Sequence, residues 1–512
     1  MNFIKDQGSF RDPAGYVFEY NKRIIRIIKK LSSVKFEEVI SSNIIDESIK
    51  NNFLINTKNV TPEFKNHVND EDCIFLEHQK IDYISYPYEW SFNQLKDAAL
   101  FHLEFQLFLL EKNFILKDSS AFNIQFNGNK PIFIDVLSIE KYKEGEYWKG
   151  HSQFLQQFLN PLLLKSIKGI DFNNWFKGNL NGINTSELND ILNLRDKLSL
   201  NIFFSVSLLA KLEKQNRFFP DKALEKVKKQ KKLSKKSYKL ILIQLKNWIK
   251  KLNPKFNKSN WDTYSLKNTY GINQEKDKLE LVKEFIKLNK PNYLADMGCN
   301  DGMYSIESLN EGAKKVFGFD IDHNSIDKAY IRAKKDNLNF LPLYFDAMNP
   351  SSNLGWNENE RKSFKDRIIF DAFIALAFIH HLIIGNNVPL ADAFYANYFI
   401  KENKVPFGAS RADLPIIPMW HNESRATAAY LKSIALQRNI NLIEGTYVDA
   451  IQNDSGDITS LILDDNRTIE GDWFVDCSGF AQLLIRKKLG TKFTDYSKHF
   501  YTQLCYCMVG RT

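Results

Sequence analysis

Cysteine is scarce in this chain of 512 residues: Cys73, Cys299, Cys477, Cys505 and Cys507 make up the set, and no two of them form a C-x-x-C pair. An odd number without such pairs argues against a disulfide framework and a zinc ribbon, and points to a reducing compartment. Cys505-Tyr-Cys507 is too close-set for a zinc or redox motif. Long apolar runs are also missing, since no eighteen consecutive apolar residues occur, so no membrane-spanning helix is expected. Met1 to Phe10 lacks the apolar core of a secretory signal, and the expectation is a soluble cytoplasmic protein. Neither sign of charge dominates: 70 Lys and Arg against 61 Asp and Glu leave +9, too thin a surplus over this length to be a strong nucleic-acid signal. No fixed-period repeat is visible. What is abundant is apolar content, 44%, enough to build a core in each of three or four domains.

One stretch organises the rest. Tyr293-Leu-Ala-Asp-Met-Gly-Cys-Asn-Asp-Gly302 reads as a buried strand ending at Asp296, then a turn punctuated by Gly298 and Gly302 around Asn300, then a helix from Met303. Around it strand and helix patterns alternate. A helix is expected over Gln274–Leu288, a second strand over Lys315–Asp322, a helix over Ser325–Lys335, a third strand over Asn339–Asp346 and a fourth over Phe370–Ala377. Alternation of this kind implies an α/β doubly wound parallel sheet, whose ligands bind at the carboxyl ends of the strands. Asp296, Asp320 and Asp346 fall at three such ends. The dinucleotide fingerprint G-x-G-x-x-G is absent, and Asp296-x-Gly298-x-x-x-Gly302 stands in its place. The spacing favours an adenosyl sulfonium ligand without a pyrophosphate: the turn admits its amino acid end, Asp320 takes both ribose hydroxyls and Asp346 faces the adenine amino group.

Residues 261–390 thereby resemble class I S-adenosylmethionine-dependent methyltransferases. Residues 1–390 resemble the bacterial subgroup that carries a kinase-like domain ahead of the methyltransferase, a group related to nodulation proteins. The motifs are Ser9 to Val17, Tyr86-Pro-Tyr-Glu-Trp90, Leu95-Lys-Asp-Ala98, Leu116 to Ser138, Asp296 to Gly302, Gly355-Trp356 with Glu360-Arg361, and Ala375-Leu-Ala-Phe-Ile-His380-His381-Leu. The resemblance implies S-adenosylmethionine as cofactor and a small-molecule or metabolite acceptor. Methyl transfer is an in-line displacement, so positioning matters most and a base helps only when the acceptor carries a proton. His381 or His380 is the candidate base; the alternative is a histidine that lines the pocket without moving a proton.

In residues 1–215, Gly15–Phe18 and Arg23–Ile28 around Asn21-Lys22 read as a hairpin, and Gln94–Asn113 as a long amphipathic helix with His102 in its core face. The segment Leu116 to Ser138 resembles the catalytic segment of kinase-like phosphotransferases. By that resemblance Asp118 orients a hydroxyl, while Asn123 and Asp135 hold magnesium on the phosphates of Mg-ATP. No kinase-type glycine loop is legible and no strand lysine can be named, so a degenerate kinase-like scaffold stands as the alternative. Residues 216–260 are lysine-rich and read as a basic helical linker, a solvated face or an anion-binding one.

After Leu390 the methyltransferase pattern breaks off, and a sheet interrupted after its fourth strand is expected. In residues 391–512, a helix over Tyr430–Arg438 precedes a three-stranded meander from Asn441, Ile458 and Arg467, and Gly471–Phe480 reads as a strand running into a glycine turn. This α+β flavoprotein-like fragment resembles flavin-dependent tryptophan halogenases, most closely over Asp472 to Phe480 and Leu483 to Ile485. The resemblance places Asp476, Ser478 and Gly479 near FAD. The family's glycine-rich entry strand, G-W-x-W-x-I-P segment and catalytic lysine are missing, so neither halogenation nor tight FAD binding is expected. Three readings stay open: a methyltransferase, a relative of the flavin halogenases, and a non-catalytic binding or scaffold protein.

Overall fold

The computed structural model describes residues 4–9, 12–64, 73–218, 232–255, 272–376, 378, 432–438, 440–478, 481–491, 494–495 and 506–507. The chain divides into two compact units, Met1–Asn403 and Lys404–Thr512.

The first unit opens with β1 (Ile4–Lys5), β2 (Gly15–Tyr20) and β3 (Arg23–Ile28). Asn21 and Lys22 both take positive φ, 49° and 65°, the two-residue turn whose twist suits a hairpin. α1 (Lys30–Ile40) leads to β4 (Thr57–Asn59) and β5 (Ile74–His78), and the sheet order is β1-β2-β3-β5-β4. α2 (Phe92–Glu111) follows, and its start is fixed by Ser91: the Ser91 hydroxyl accepts from the Gln94 amide at 3.2 Å, while the Gln94 side chain accepts from the Ser91 amide at 2.7 Å. This reciprocal cap satisfies two donors the helix leaves orphaned. His102 is buried on α2 with its Nε2 3.1 Å from the Ser119 hydroxyl, and burial lowers its pKa to about 3, so it stays neutral in the core. Two short antiparallel pairs come next, β6 (Phe114–Leu116) with a strand over Ile139–Lys141, and β7 (Ile124–Asn127) with β8 (Lys130–Phe133).

One part of the basic stretch is packed into the domain. Lys235–Lys251 forms α3, which buries Tyr238, Leu242, Leu245 and Ile249 against the domain. The Gln106 amide donates to the Tyr238 hydroxyl at 2.6 Å, and Lys239 and Lys246 pair with Glu111 and Glu104 on α2. An apolar stripe at three- and four-residue spacing gives the helix a face to bury whatever the charge of its other side.

α4 (Ile272–Asn289) precedes the second sheet, strand–helix alternation now giving β9 (Tyr293–Met297), α5 (Met303–Asn310), β10 (Lys315–Asp320), α6 (His323–Lys335), β11 (Phe340–Tyr344) and β12 (Ala372–Ile374). All pairings are parallel and the order is β11-β10-β9-β12, with four strands among the described residues. One face, with Leu294, Val316, Phe340 and Ile374, packs on Val282 and Ile286 of α4 and on Ala329 and Ala333 of α6. The other face departs from a doubly wound sheet. Its Ala295, Phe317, Phe319, Leu341 and Leu343 share one core with the N-terminal domain. The Tyr83 ring lies 5.3 Å from that of Phe317, and Lys315 reaches Asp82 at 2.8 Å. Arg367 is buried in a two-pronged ion pair with Glu89 and also donates to the Ile84 carbonyl at 2.6 Å. The N-terminal domain therefore occupies the side where a second helix layer was expected.

In the second unit a helix covers 432–437, and β13 (Tyr447–Gln452), β14 (Ile458–Leu463) and β15 (Thr468–Glu470) form an antiparallel meander. The first strand begins at Tyr447 rather than Asn441. Residues 471–478 are not a strand, contrary to expectation, and Trp473 and Val475 stand 90% and 81% exposed. An extended, apolar pattern becomes a strand only where neighbours complete its ladder.

Candidate functional site

β9 is central in its sheet, so its carboxyl end opens between β10 and β12. There the Gly298 and Cys299 amides both donate to the Phe319 carbonyl, at 2.7 and 3.1 Å, which bends the chain back over β10. Gly298, Asn300 and Gly302 have φ of 76°, 49° and 82°. A Cβ on Gly302 would lie 2.5 Å from the Phe340 ring, and one on Gly298 would lie 3.0 Å from the Phe378 ring. Both glycines are thus required twice over, by backbone conformation and by space. Asn300 tolerates the left-handed conformation because its own side chain accepts from the Asp301 amide at 2.7 Å. Arg332 on α6 clamps the outside of the turn through Asp301 at 3.0 Å.

Asp320 joins this turn to the second strand. Its Oδ2 accepts from the Asn300 amide and its Oδ1 from the Asp322 amide, each at 2.9 Å. Each carboxylate oxygen keeps a further lone pair, so the group can still accept from two hydroxyls of a sugar. Burial raises its pKa. Asp296 lies deeper: it is buried under the first turns of α5 and accepts from the Ser305 hydroxyl at 2.6 Å. Burial, with the Asp320 charge adding to it, pushes the Asp296 carboxyl up to about 7. Asp296 therefore holds the turn from beneath. Asp346 lies just past β11, half-buried, and accepts from the Met348 amide at 2.9 Å. Ile321 and Met348, both exposed, put apolar surface at the tips of the adjacent strands β10 and β11. The edge thus offers the amino end of α5, two acceptor carboxylates and apolar surface, a set that fits S-adenosylmethionine.

Several residues here escaped the sequence reading. His323, the first residue of α6, stacks flat on Tyr344 with centroids 4.2 Å apart, and its Nδ1 is 3.8 Å from Asp171 of the N-terminal domain. Asp171 in turn pairs with the buried Lys165 at 2.5 Å. Burial lowers the His323 pKa. A histidine directly after two strand-end acids was a local signal, but the N-terminal partners were not. Phe378, whose ring lies against Gly298, belongs to the Ala375–His381 motif. His380 and His381 themselves lie outside the described residues.

The second expected cluster is also brought together. The Asn123 amide donates to Asp118 Oδ2 at 3.3 Å and reaches the Ser138 hydroxyl at 3.5 Å, and Ser138 donates to Asp135 at 2.6 Å. Burial raises the Asp118 pKa. Arg26, on β3, faces Asp135 at 3.4 Å and Asp12 at 3.1 Å. It was missed because Arg23-Ile-Ile-Arg26-Ile-Ile reads as a plain strand, although a cation set between isoleucines in mid-strand was the available signal. Among the described residues no group of three or more His, Cys, Asp or Glu side chains could hold a metal ion.

In the second unit Asp476 and Ser478 bond within their own chain. Asp476 Oδ2 accepts from the amides of Leu484 and Ile485, at 2.8 and 3.1 Å, at the start of the helical turn Leu483–Lys488, and Oδ1 accepts from the Ser478 amide and hydroxyl. Burial would raise its pKa, but the bonds from Ser478 and from the helix amides outweigh it and hold the carboxyl at about 2. With no strand under it, the aspartate caps a helix end. Gly479 lies outside the described residues.

The chain is similar to several known proteins. A family model described as tryptophan halogenase matches residues 374–509. The nodulation protein NoeA of Rhizobium meliloti (strain 1021) is 41% identical over 388 residues, which cover 75% of this chain and 80% of that protein. The tryptophan 6-halogenase ThaL of Streptomyces albogriseolus is 36% identical over 81 residues, 16% of this chain and only 15% of that enzyme. The ribosomal protein L11 methyltransferase of Shewanella sp. (strain W3-18-1) is 39% identical over 57 residues, 11% of this chain and 20% of that enzyme.

Proposed function

The chain belongs to the family of the nodulation protein NoeA, and from that premise we propose that it is an S-adenosylmethionine-dependent methyltransferase with a small-molecule or metabolite acceptor. The observation that carries this reading is the tie between Asp320 and the Asn300 amide, which fixes a sugar-binding carboxylate against a turn with three left-handed residues. In this reading residues 261–390 perform the transfer. The amino end of α5 receives the cofactor's carboxylate, a contact of about 0.3–1 kcal/mol. Asp320 accepts the ribose hydroxyls, Asp346 the adenine amino group, and Ile321 and Met348 cover the ring. The bound sulfonium supplies the methyl group; the chain's contribution is to hold cofactor and acceptor in line and exclude water. His381 or His380 takes a proton where the acceptor has one to lose.

Residues 1–215, extended by α3, are the kinase-like domain of this reading. Kinases carry a phosphate-binding lysine on the third strand, and Arg26 on β3 takes that place. Its pairing with Asp135 supports a degenerate site that serves as scaffold, and Mg-ATP binding there is not expected to be tight. Residues 391–512 are the halogenase-like fragment, and the helix-capping role of Asp476 supports the expectation that it holds no FAD tightly.

Isothermal titration tests the first claim. The intact chain binds S-adenosylmethionine, and Asp320→Ala weakens binding at least about tenfold, the loss of one charge-assisted pair of hydrogen bonds. Absence of binding by the intact chain overturns the reading.

A further inference from the structure

One short helix of the N-terminal domain, Asn173–Gly178, reaches the edge where the cofactor is placed. Phe172 and Phe176, four residues apart, are buried in the domain core, with the Phe176 ring 5.9 Å from that of Phe122. The Asn173 side-chain amide donates to the Tyr88 and Trp90 carbonyls at 3.0 and 2.9 Å. These contacts fix the helix to its own domain, and helical spacing turns Asp171, Asn174 and Lys177 away from the phenylalanines. All three meet the second sheet. Asp171 stands 3.8 Å from His323, the Asn174 side chain is hydrogen-bonded to the Tyr344 hydroxyl, and Lys177 Nζ donates to the Asn349 carbonyl at 3.2 Å.

The three contacts fall on the two loops that carry Asp320 and Asp346. His323 opens α6 directly after Asp322, which caps that helix and whose amide donates to Asp320. Tyr344 ends β11 two residues before Asp346, and the His323 ring stacks on it, which joins the two loops side by side. Asn349 closes the turn that Asp346 opens: its amide donates to the Asp346 carbonyl at 3.1 Å, while its own carbonyl takes Lys177. A binding carboxylate works only where its loop is held in the productive geometry, and a rigid neighbour supplies that hold. On the methyltransferase reading above, we propose that Asp171, Asn174 and Lys177 are positioning residues for the adenosine half of the S-adenosylmethionine site, acting on Asp320 through His323 and on Asp346 through Tyr344 and Asn349. The N-terminal domain is then a working part of the cofactor site without touching the cofactor.

Isothermal titration of the full chain tests this with two probes, S-adenosylmethionine and its adenosine fragment 5′-methylthioadenosine. Asn174→Ala with Lys177→Ala should weaken both probes at least about fivefold, the worth of one lost hydrogen bond. The unfolding midpoint should stay in place, because Asn174 is exposed and Lys177 half-buried at the surface. Lys177→Arg, which still donates, should bind like the unaltered chain. Tyr344→Phe keeps the stack on His323 and loses only the hydroxyl; it should weaken binding as much as Asn174→Ala, and the two together no more than either alone. Hydrogen exchange on the unaltered chain needs no variant: S-adenosylhomocysteine should slow exchange over 171–178 as well as at the cofactor turn. Full binding by the Asn174→Ala, Lys177→Ala chain, a loss confined to S-adenosylmethionine, additive losses for Asn174→Ala and Tyr344→Phe, or unchanged exchange over 171–178 overturns the proposal alone. An unaltered chain that binds neither probe overturns the methyltransferase reading and this assignment with it.

Discussion

Two stretches of this chain look alike in sequence, Tyr293–Gly302 and Gly471–Gly479: each is a short apolar run ending in an aspartate and a glycine. They fold differently. The first finds β10 on one side and β12 on the other, completes its ladder and presents a rigid turn. The second forms no strand over 471–478, leaves Trp473 almost wholly exposed, and uses its aspartate to cap a helix end. A strand signature is a statement about the residue's neighbours as much as about the residues, and it yields a site only where the sheet is there to receive it.

The contrast can be broken by mutation. Gly302→Ala should cost about 2–5 kcal/mol in the unfolding of the first unit, combining left-handed strain of about 1–2 kcal/mol with overpacking against Phe340 of about 1–3 kcal/mol. Calorimetry of the two units measures it, provided their transitions are resolved.

Asp296→Asn sharpens the comparison from the opposite direction. Asp296 titrates near 7 in the folded chain, above its unfolded value, so the folded state binds more protons between about pH 4 and pH 7. Its contribution to stability is complete below that window and is lost as pH rises through it. The asparagine still accepts from Ser305 but cannot ionise. At pH 8 the variant should be more stable by about 2–4 kcal/mol and at pH 4 nearly unchanged. A stability difference that does not depend on pH would rule out a buried ionising carboxyl.

Asp476 has the reverse sign. Its folded pKa of about 2 lies below the unfolded value, so its contribution is present above about pH 4 and is lost on acidification. Asp476→Ala should cost the second unit about 1 kcal/mol at pH 7, the usual worth of a cap, and leave S-adenosylmethionine binding untouched.

The sequence was legible where local rules decide the outcome. Asn21-Lys22 set the hairpin turn, helical spacing marked α2 from Gln94 on, two residues after its actual start at Phe92, and the alternation from Tyr293 to Ile374 led to a parallel sheet whose acidic tips fall on one edge. It was silent where the outcome depends on distant partners. Phe317 and Phe319 read as buried, but nothing local says that Tyr83 and the N-terminal domain cover them. The stripe Tyr238, Leu242, Leu245 and Ile249 was visible in the lysine-rich segment, yet its surroundings disguised a core helix as a connector. Arg26 gained meaning only when Asp135, more than a hundred residues later, was placed opposite it.

The central claim is that the cofactor binds at the Asp296–Gly302 turn and not at its look-alike. Hydrogen exchange of the full chain with and without S-adenosylhomocysteine tests it directly. Added ligand should slow exchange in peptides covering 298–304 and 320–323 and leave 471–485 unchanged; an unchanged turn, or protection confined to 471–485, would contradict the account.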